Sequence, residues 1–257
     1  MSHRMNSAFL PAIAVLLACL SPSLAQSNDA NIAPSSKQQF TARLVASAVE
    51  RANHTVRYVP DYVRIDYPNG DVPASTGVCA DEIIRAYRGV GVDLQKEVHE
   101  DMAAHFAAYP HKWGLRHPDT NIDHRRVPNL MTFFARQGDS LLVTQNASNY
   151  LPGDIVTWDL GGDVPHIGIV VDRHPPGSRA NLVLHNVGEG PKIEDVLFRW
   201  RITGHCRYRP TGLADGERAR HQQARLSGKN SGPRGLASAA AFRRNINSPQ
   251  TVLQETK

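Results

Sequence analysis

The 257-residue chain is 41% hydrophobic and 21% charged, which excludes collagen, coiled coil and wholesale disorder and leaves a globular protein with material for a sizeable core. Its formal charge of +5 belongs to the ends: residues 211–257 carry 8 basic and 3 acidic side chains, residues 1–25 carry Arg4 alone, and residues 26–210 set 20 basic against 21 acidic. A nearly neutral central part argues against a nucleic-acid partner, although the chain as a whole is basic.

The chain opens with a short polar start, an apolar run from Phe9 to Leu20 and a small-residue cleavage site at Ser23-Leu24-Ala25. Residues 1–25 therefore read as a secretory signal peptide, which predicts a periplasmic or secreted protein. Leu16-Leu17-Ala18-Cys19 is also a lipoprotein motif, an alternative in which Cys19 carries a lipid anchor. The apolar run is too short for a membrane span and no later one approaches the roughly 18 residues required, so no transmembrane segment is expected. At the far end, residues 211–257 read as a disordered basic tail, suited at most to weak contact with anionic surfaces. One domain over 37–210 remains.

Within it, Phe40, Leu44, Val45, Ala48, Val49 and Ala52 share a helical stripe, predicting a first helix over 38–53. Residues 58–76 hold Pro60, Pro68, Asn69-Gly70 and Pro73 and read as an irregular loop with an extended piece at 63–67. A second helix follows over 79–90, stopped by Gly89 and Gly91, and a third over 95–109. A fourth starts at Pro128 with Leu130, Phe133 and Phe134 on its face. Leu151-Pro152-Gly153-Asp154 is a turn, and four short strands follow, at 155–158, 167–171, 182–184 and 198–208. Helices first and strands second predict an α+β fold with helices packed on a small antiparallel sheet.

The chemistry concentrates on three residues. Cys79 falls in the first turn of the second helix, where free amide N–H groups and the helix dipole favour an anion by about 0.3–1 kcal/mol. His166 opens an apolar strand and is a candidate base. If the strands about 167–171 and 182–184 form a hairpin centred between Pro175 and Pro176, His185 lies opposite His166 and orients it; a one-residue slip brings in Asn186 instead.

Thr76-Gly77-Val78-Cys79-Ala80-Asp81, then Leu151-Pro152-Gly153-Asp154-Ile155-Val156, then Pro165-His166-Ile167-Gly168-Ile169-Val170 resemble the ordered motifs of NlpC-type papain-like cysteine hydrolases. Val98-His99-Glu100-Asp101-Met102, Asn121-Ile122-Asp123-His124-Arg125-Arg126 and Trp200-Arg201-Ile202-Thr203-Gly204-His205 resemble more closely the YijF-like bacterial family, a domain of unknown function, over roughly 40–210. The resemblance implies a papain-like fold and cleavage of an amide, commonly in peptidoglycan stem peptides, through a thioester. Cys79 is then the nucleophile, His166 the base and His185 or Asn186 its orienter, with no cofactor. The Cys79 amide and an upstream tyrosine, Tyr67 or Tyr62, are candidate oxyanion donors.

Tyr67, His99, Asp123, Arg125 and Asn186 complete the candidate set as substrate contacts, Arg125 through a carboxylate fork. A metal site is not expected: His99 and His105 are six residues apart, about 600° around a helix, and so lie on different faces. Two other readings stand beside the hydrolase. A Cys79 to Cys206 disulfide would make the chain a stapled module that binds wall or peptide material, and the same Cys and His set also serves acyl transfer.

Overall fold

The computed structural model describes residues 35–210. Residues 1–25, read as a signal peptide, with Cys19 among them, and residues 211–257, read as a basic tail, lie outside that range. Four helices come first: α1 (Ser36–Arg51), α2 (Cys79–Arg88), α3 (Leu94–Ala104) and α4 (Val127–Gln137). Two short strands, β1 (Arg57–Tyr58) and β2 (Thr76–Gly77), pair in parallel between α1 and α2. Then come β3 (Asp139–Ser140), β4 (Ile155–Asp159), β5 (Pro165–Val170), β6 (Val183–His185), β7 (Lys192–Glu194) and β8 (Arg201–Arg207). These six form one antiparallel sheet in the order β3, β8, β4, β5, β6, β7. The fold class is α+β, as the sequence order implied.

The α1 face predicted from periodicity is the buried one, with Leu44, Val45 and Ala48 inside, and Ser35 caps the helix by accepting from the Gln38 N–H. The α2 helix is buried almost all round, although only Ile83, Ile84 and Tyr87 mark an apolar face. Its polar side is buried because it is paired: Arg51 reaches Glu82 at 2.8 Å, Arg85 reaches Asp71 at 3.0 Å and Arg125 reaches Asp81 at 2.8 Å. The third helix stops at Ala104, and a separate 3-10 turn (Phe106–Ala108) follows it, where the sequence suggested one helix to 109. Residues 63–67 are not a strand; the extended piece lies earlier, at β1.

Both sheet faces are covered. Ile155, Ile167, Ile169 and Leu184 pack against α1, α2 and α4, whereas Val156, Trp158, Val170 and Val183 pack with Tyr150, Val196 and Leu197 on the other side. β4 accordingly buries four consecutive residues and shows no polar alternation. Gly168 is fixed by this crowding, since a Cβ there would lie 2.6 Å from Val183 Cγ1 and 2.9 Å from the Leu184 carbonyl oxygen.

The β5 and β6 register decides which side chains meet. Ile169 pairs with Leu184 and Val170 with Val183, two residues out of step with the expected His166 to His185 pairing. The Leu182 N–H skips past Asp172 to the Arg173 carbonyl, so one side of the turn takes up extra chain. An even shift preserves the face, which leaves the two histidines as diagonal neighbours.

Candidate functional site

Cys79 is the first residue of α2, delivered by the extended Val78 that ends the β2 segment. Asp81 accepts the Val78 N–H at 2.7 Å and so closes the helix start. The thiol is buried, and burial pushes it up to about 11. Three donors set against the sulfur oppose that shift: the Tyr58 hydroxyl and the backbone N–H groups of Ile167 and Ala80. The Cys79 N–H is itself directed at the Tyr58 oxygen. Burial, with the nearby thiol, holds Tyr58 well above the usual phenol range, so its hydroxyl keeps its proton and stays a donor.

The Tyr58 segment is tied to α2 by Arg125. Its Nε and one terminal nitrogen grip the two Asp81 oxygens at 2.8 and 3.0 Å, and its other contacts are the carbonyls of Asp61 at 3.0 Å and Val59 at 3.4 Å. Four of its five N–H donors are thus taken by the protein, so Arg125, which also lines the cavity beside the thiol, holds Tyr58 and Cys79 in place rather than presenting a free fork. Thiol and hydroxyl open into a cavity of about 410 Å³ whose wall also includes Tyr62, Trp113, Arg126 and Pro165.

The histidines form a second cluster. His166 Nε2 lies 3.0 Å from His185 Nδ1, and His185 Nε2 lies 3.0 Å from Glu194 Oε2. The order of the chain assigns its protons. A carboxylate only accepts, so His185 Nε2 carries a proton and its Nδ1 accepts from His166 Nε2, which leaves the His166 Nδ1 lone pair as the basic end. Burial and the neighbouring imidazole take His166 down to about 3, and burial lowers His185 against the pull of Glu194. Both are neutral at pH 7. Trp158 and Trp200 flank the pair, each with its ring centroid 5.8 Å from that of His166.

Strand alternation puts His166 on the face away from the helices, with Gly168 and Val170, while Cys79 lies on the helix face beside Ile167. Among the described residues no hydrogen bond joins Cys79 to His166. The sulfur instead takes the N–H of the very next residue, so thiol and imidazole flank the first turn of one strand's backbone.

The remaining candidates disperse. Tyr67 packs edge-on against His99, ring centroids 5.0 Å apart, and Tyr62 donates to Asp119 at 3.1 Å. Neither hydroxyl is placed against the thiol; Tyr58 takes that position. His99 Nδ1 is buried without a protein partner. Asp123 accepts the Asp119 N–H and pairs with Arg126 at 3.3 Å, and so serves its own loop. Asn186, just past the end of β6, accepts from the Gly188 N–H and keeps a buried, unpartnered Nδ2. Glu194 joined the histidines without any sequence signal, because a glutamate 28 residues after His166 has no motif to mark it. Cys79 and Cys206 are both free thiols, which removes the disulfide reading. Among the described residues no group of three His, Cys, Asp or Glu is arranged to hold a metal.

The family described as "Domain of unknown function (DUF1287)" matches residues 45–208, from α1 through the end of the sheet. The chain belongs to this family. It is also 52% identical over 161 residues to the uncharacterized protein YijF of Escherichia coli (strain K12), which spans 63% of this chain and 78% of that protein. The DUF1287 match covers Tyr58, Cys79, Arg125, His166, His185 and Glu194 alike. No helix among the described residues is long and apolar enough to cross a membrane.

Proposed function

We propose that this DUF1287 protein is a thiol hydrolase of papain-like architecture that cleaves an amide bond in peptide material of the peptidoglycan stem type. The observation that carries the proposal is the convergence on Cys79, at the wall of an open cavity, of the Tyr58 hydroxyl and two backbone N–H groups. Donors gathered on one sulfur favour negative charge there and on the oxygen of a carbonyl it attacks.

In this reading the resting pair is neutral. Cys79 holds its proton until an amide occupies the cavity; because His166 faces the other side of the sheet, its Nδ1 takes that proton through water that rounds the strand end at Pro165, which lines the cavity. The sulfur bonds to the carbonyl carbon, and the Tyr58 hydroxyl turns from the sulfur and the Cys79 N–H from the Tyr58 oxygen to donate to the oxyanion. The His166 proton passes to the leaving amine. Water, deprotonated by the same nitrogen, then hydrolyses the thioester and restores the thiol. His185 and Glu194 hold His166 in the tautomer that keeps Nδ1 free. The leader-like first 25 residues support a site of action outside the cytoplasm, where such peptides are found.

The test is incubation of purified protein with peptidoglycan fragments and mass analysis of the products. The proposal expects new amine and carboxylate ends from the wild type and none from Cys79→Ala; equal cleavage by both would overturn it.

A further inference from the structure

One wall of the Cys79 cavity is cationic in a way that the chemistry above does not use. Arg125 on that wall has four of its five N–H donors engaged by Asp81 and backbone carbonyls. Arg126, its neighbour, is less engaged. Among the described residues its guanidinium makes one ion pair, with Asp123 Oδ1 at 3.3 Å, which is long for a charge-assisted bond. Its Cζ also sits 4.2 Å from the centroid of the Trp113 ring. Asp119, the other nearby carboxylate, accepts from Tyr62 and Asn121, and neither it nor Asp123 lines the cavity. The guanidinium therefore has donors left over, faces a space of about 410 Å³ and shares that space with the thiol.

Trp113 adds a second observation. It is half-exposed and its backbone lies at φ 64°, a conformation in which a bulky residue is an outlier. Strain of this kind persists where a side chain is held for a purpose, and here it presents an indole at the cavity wall beside the cation.

We propose that Arg126 and Trp113 form a subsite for a carboxylate on the peptide whose amide Cys79 attacks, which makes the preferred substrate an acidic peptide. This rests on the thiol-hydrolase reading for its catalytic consequence, though not for binding. Guanidinium against carboxylate supplies paired N–H donors, and the indole excludes water from one side of the pair. An uncharged peptide would leave those donors without an acceptor as they desolvate.

The experiment uses the acidic stem tripeptide L-Ala-γ-D-Glu-meso-diaminopimelate and its counterpart with every free carboxylate converted to carboxamide. Binding is measured by titration calorimetry on the Cys79→Ala protein, and turnover on the wild type. The inference expects the acidic peptide to bind at least tenfold more tightly, the preference to vanish in Cys79→Ala/Arg126→Gln, and most of it to persist in Cys79→Ala/Arg126→Lys. Melting curves establish that each variant is folded. An Arg126-dependent preference without wild-type turnover would uphold the subsite and sink the hydrolase. Equal binding of the two peptides, binding of neither, or a preference unchanged by Arg126→Gln would overturn the subsite, even if the wild type cleaves.

Discussion

Alkylation of Cys79 across pH is a direct measure of how the fold treats the thiol. Burial pushes Cys79 up to about 11 despite the donors around it. An ordinary cysteine near 8.5 is roughly one-quarter thiolate at pH 8, whereas a thiol at 11 is about one-thousandth, a deficit of about two hundredfold. A more basic thiolate is also more nucleophilic, which recovers about tenfold at a Brønsted slope of 0.4–0.5. The net expectation at pH 8 is iodoacetamide labelling about twentyfold slower than an unhindered thiol, with a rate that still climbs at pH 10. Cys206, also shifted upward by burial, is distinguished by peptide mapping. Tyr58→Phe removes one of the opposing donors and should slow the labelling further. A rate that plateaus below pH 8 would refute this reasoning, since it would require an ion pair in the resting protein.

Three other outcomes follow from the same geometry. Tyr58→Phe should cut kcat/KM on a cleaved peptide by about 10²-fold, the scale of one oxyanion donor, with little change in Tm; an unchanged kcat/KM would remove Tyr58 from the oxyanion site. Arg125→Met should cost about 3–5 kcal/mol in urea denaturation, because Asp81 is left buried without its partner, and Asp81→Leu/Arg125→Met should recover part of that; a loss under 1 kcal/mol would count against the clamp. His124 and His166 are both held near 3 by burial, against about 6.5 unfolded. The unfolded chain therefore takes up two protons that the fold refuses as pH drops below 6.5. Stability should be level above about pH 7 and fall by up to about 2.7 kcal/mol per unit below 6. A urea midpoint unchanged between pH 7 and 5 would contradict it.

Much of the fold is legible in the sequence alone. Helical spacing located α1, α2 and α4, and the Pro152-Gly153-Asp154 turn marked the passage from helices to sheet. Placing His166 and His185 on one face came from counting across the hairpin, and it tolerated a two-residue error because side chains repeat every second residue. Placing Cys79 and His166 together did not follow from such counting: alternation sends His166 away from the helices, and the sulfur meets the Ile167 N–H. Tyr58 escaped because β1 has two residues and no periodicity, and its position depends on a parallel pairing with Thr76 and Gly77 just before Cys79. Arg125 looked like a substrate fork because a sequence cannot show that Asp81, 44 residues earlier, already fills it.

The claim that Cys79 and His166 act together is tested most directly by single-turnover reaction of wild type, Cys79→Ala and His166→Ala with a stem peptide, quenched and read by intact mass. The account predicts a transient acyl adduct on Cys79 in the wild type, none in Cys79→Ala, and at least 10²-fold slower adduct formation in His166→Ala. An adduct that forms at the wild-type rate without His166, or peptide cleavage without Cys79, would contradict it.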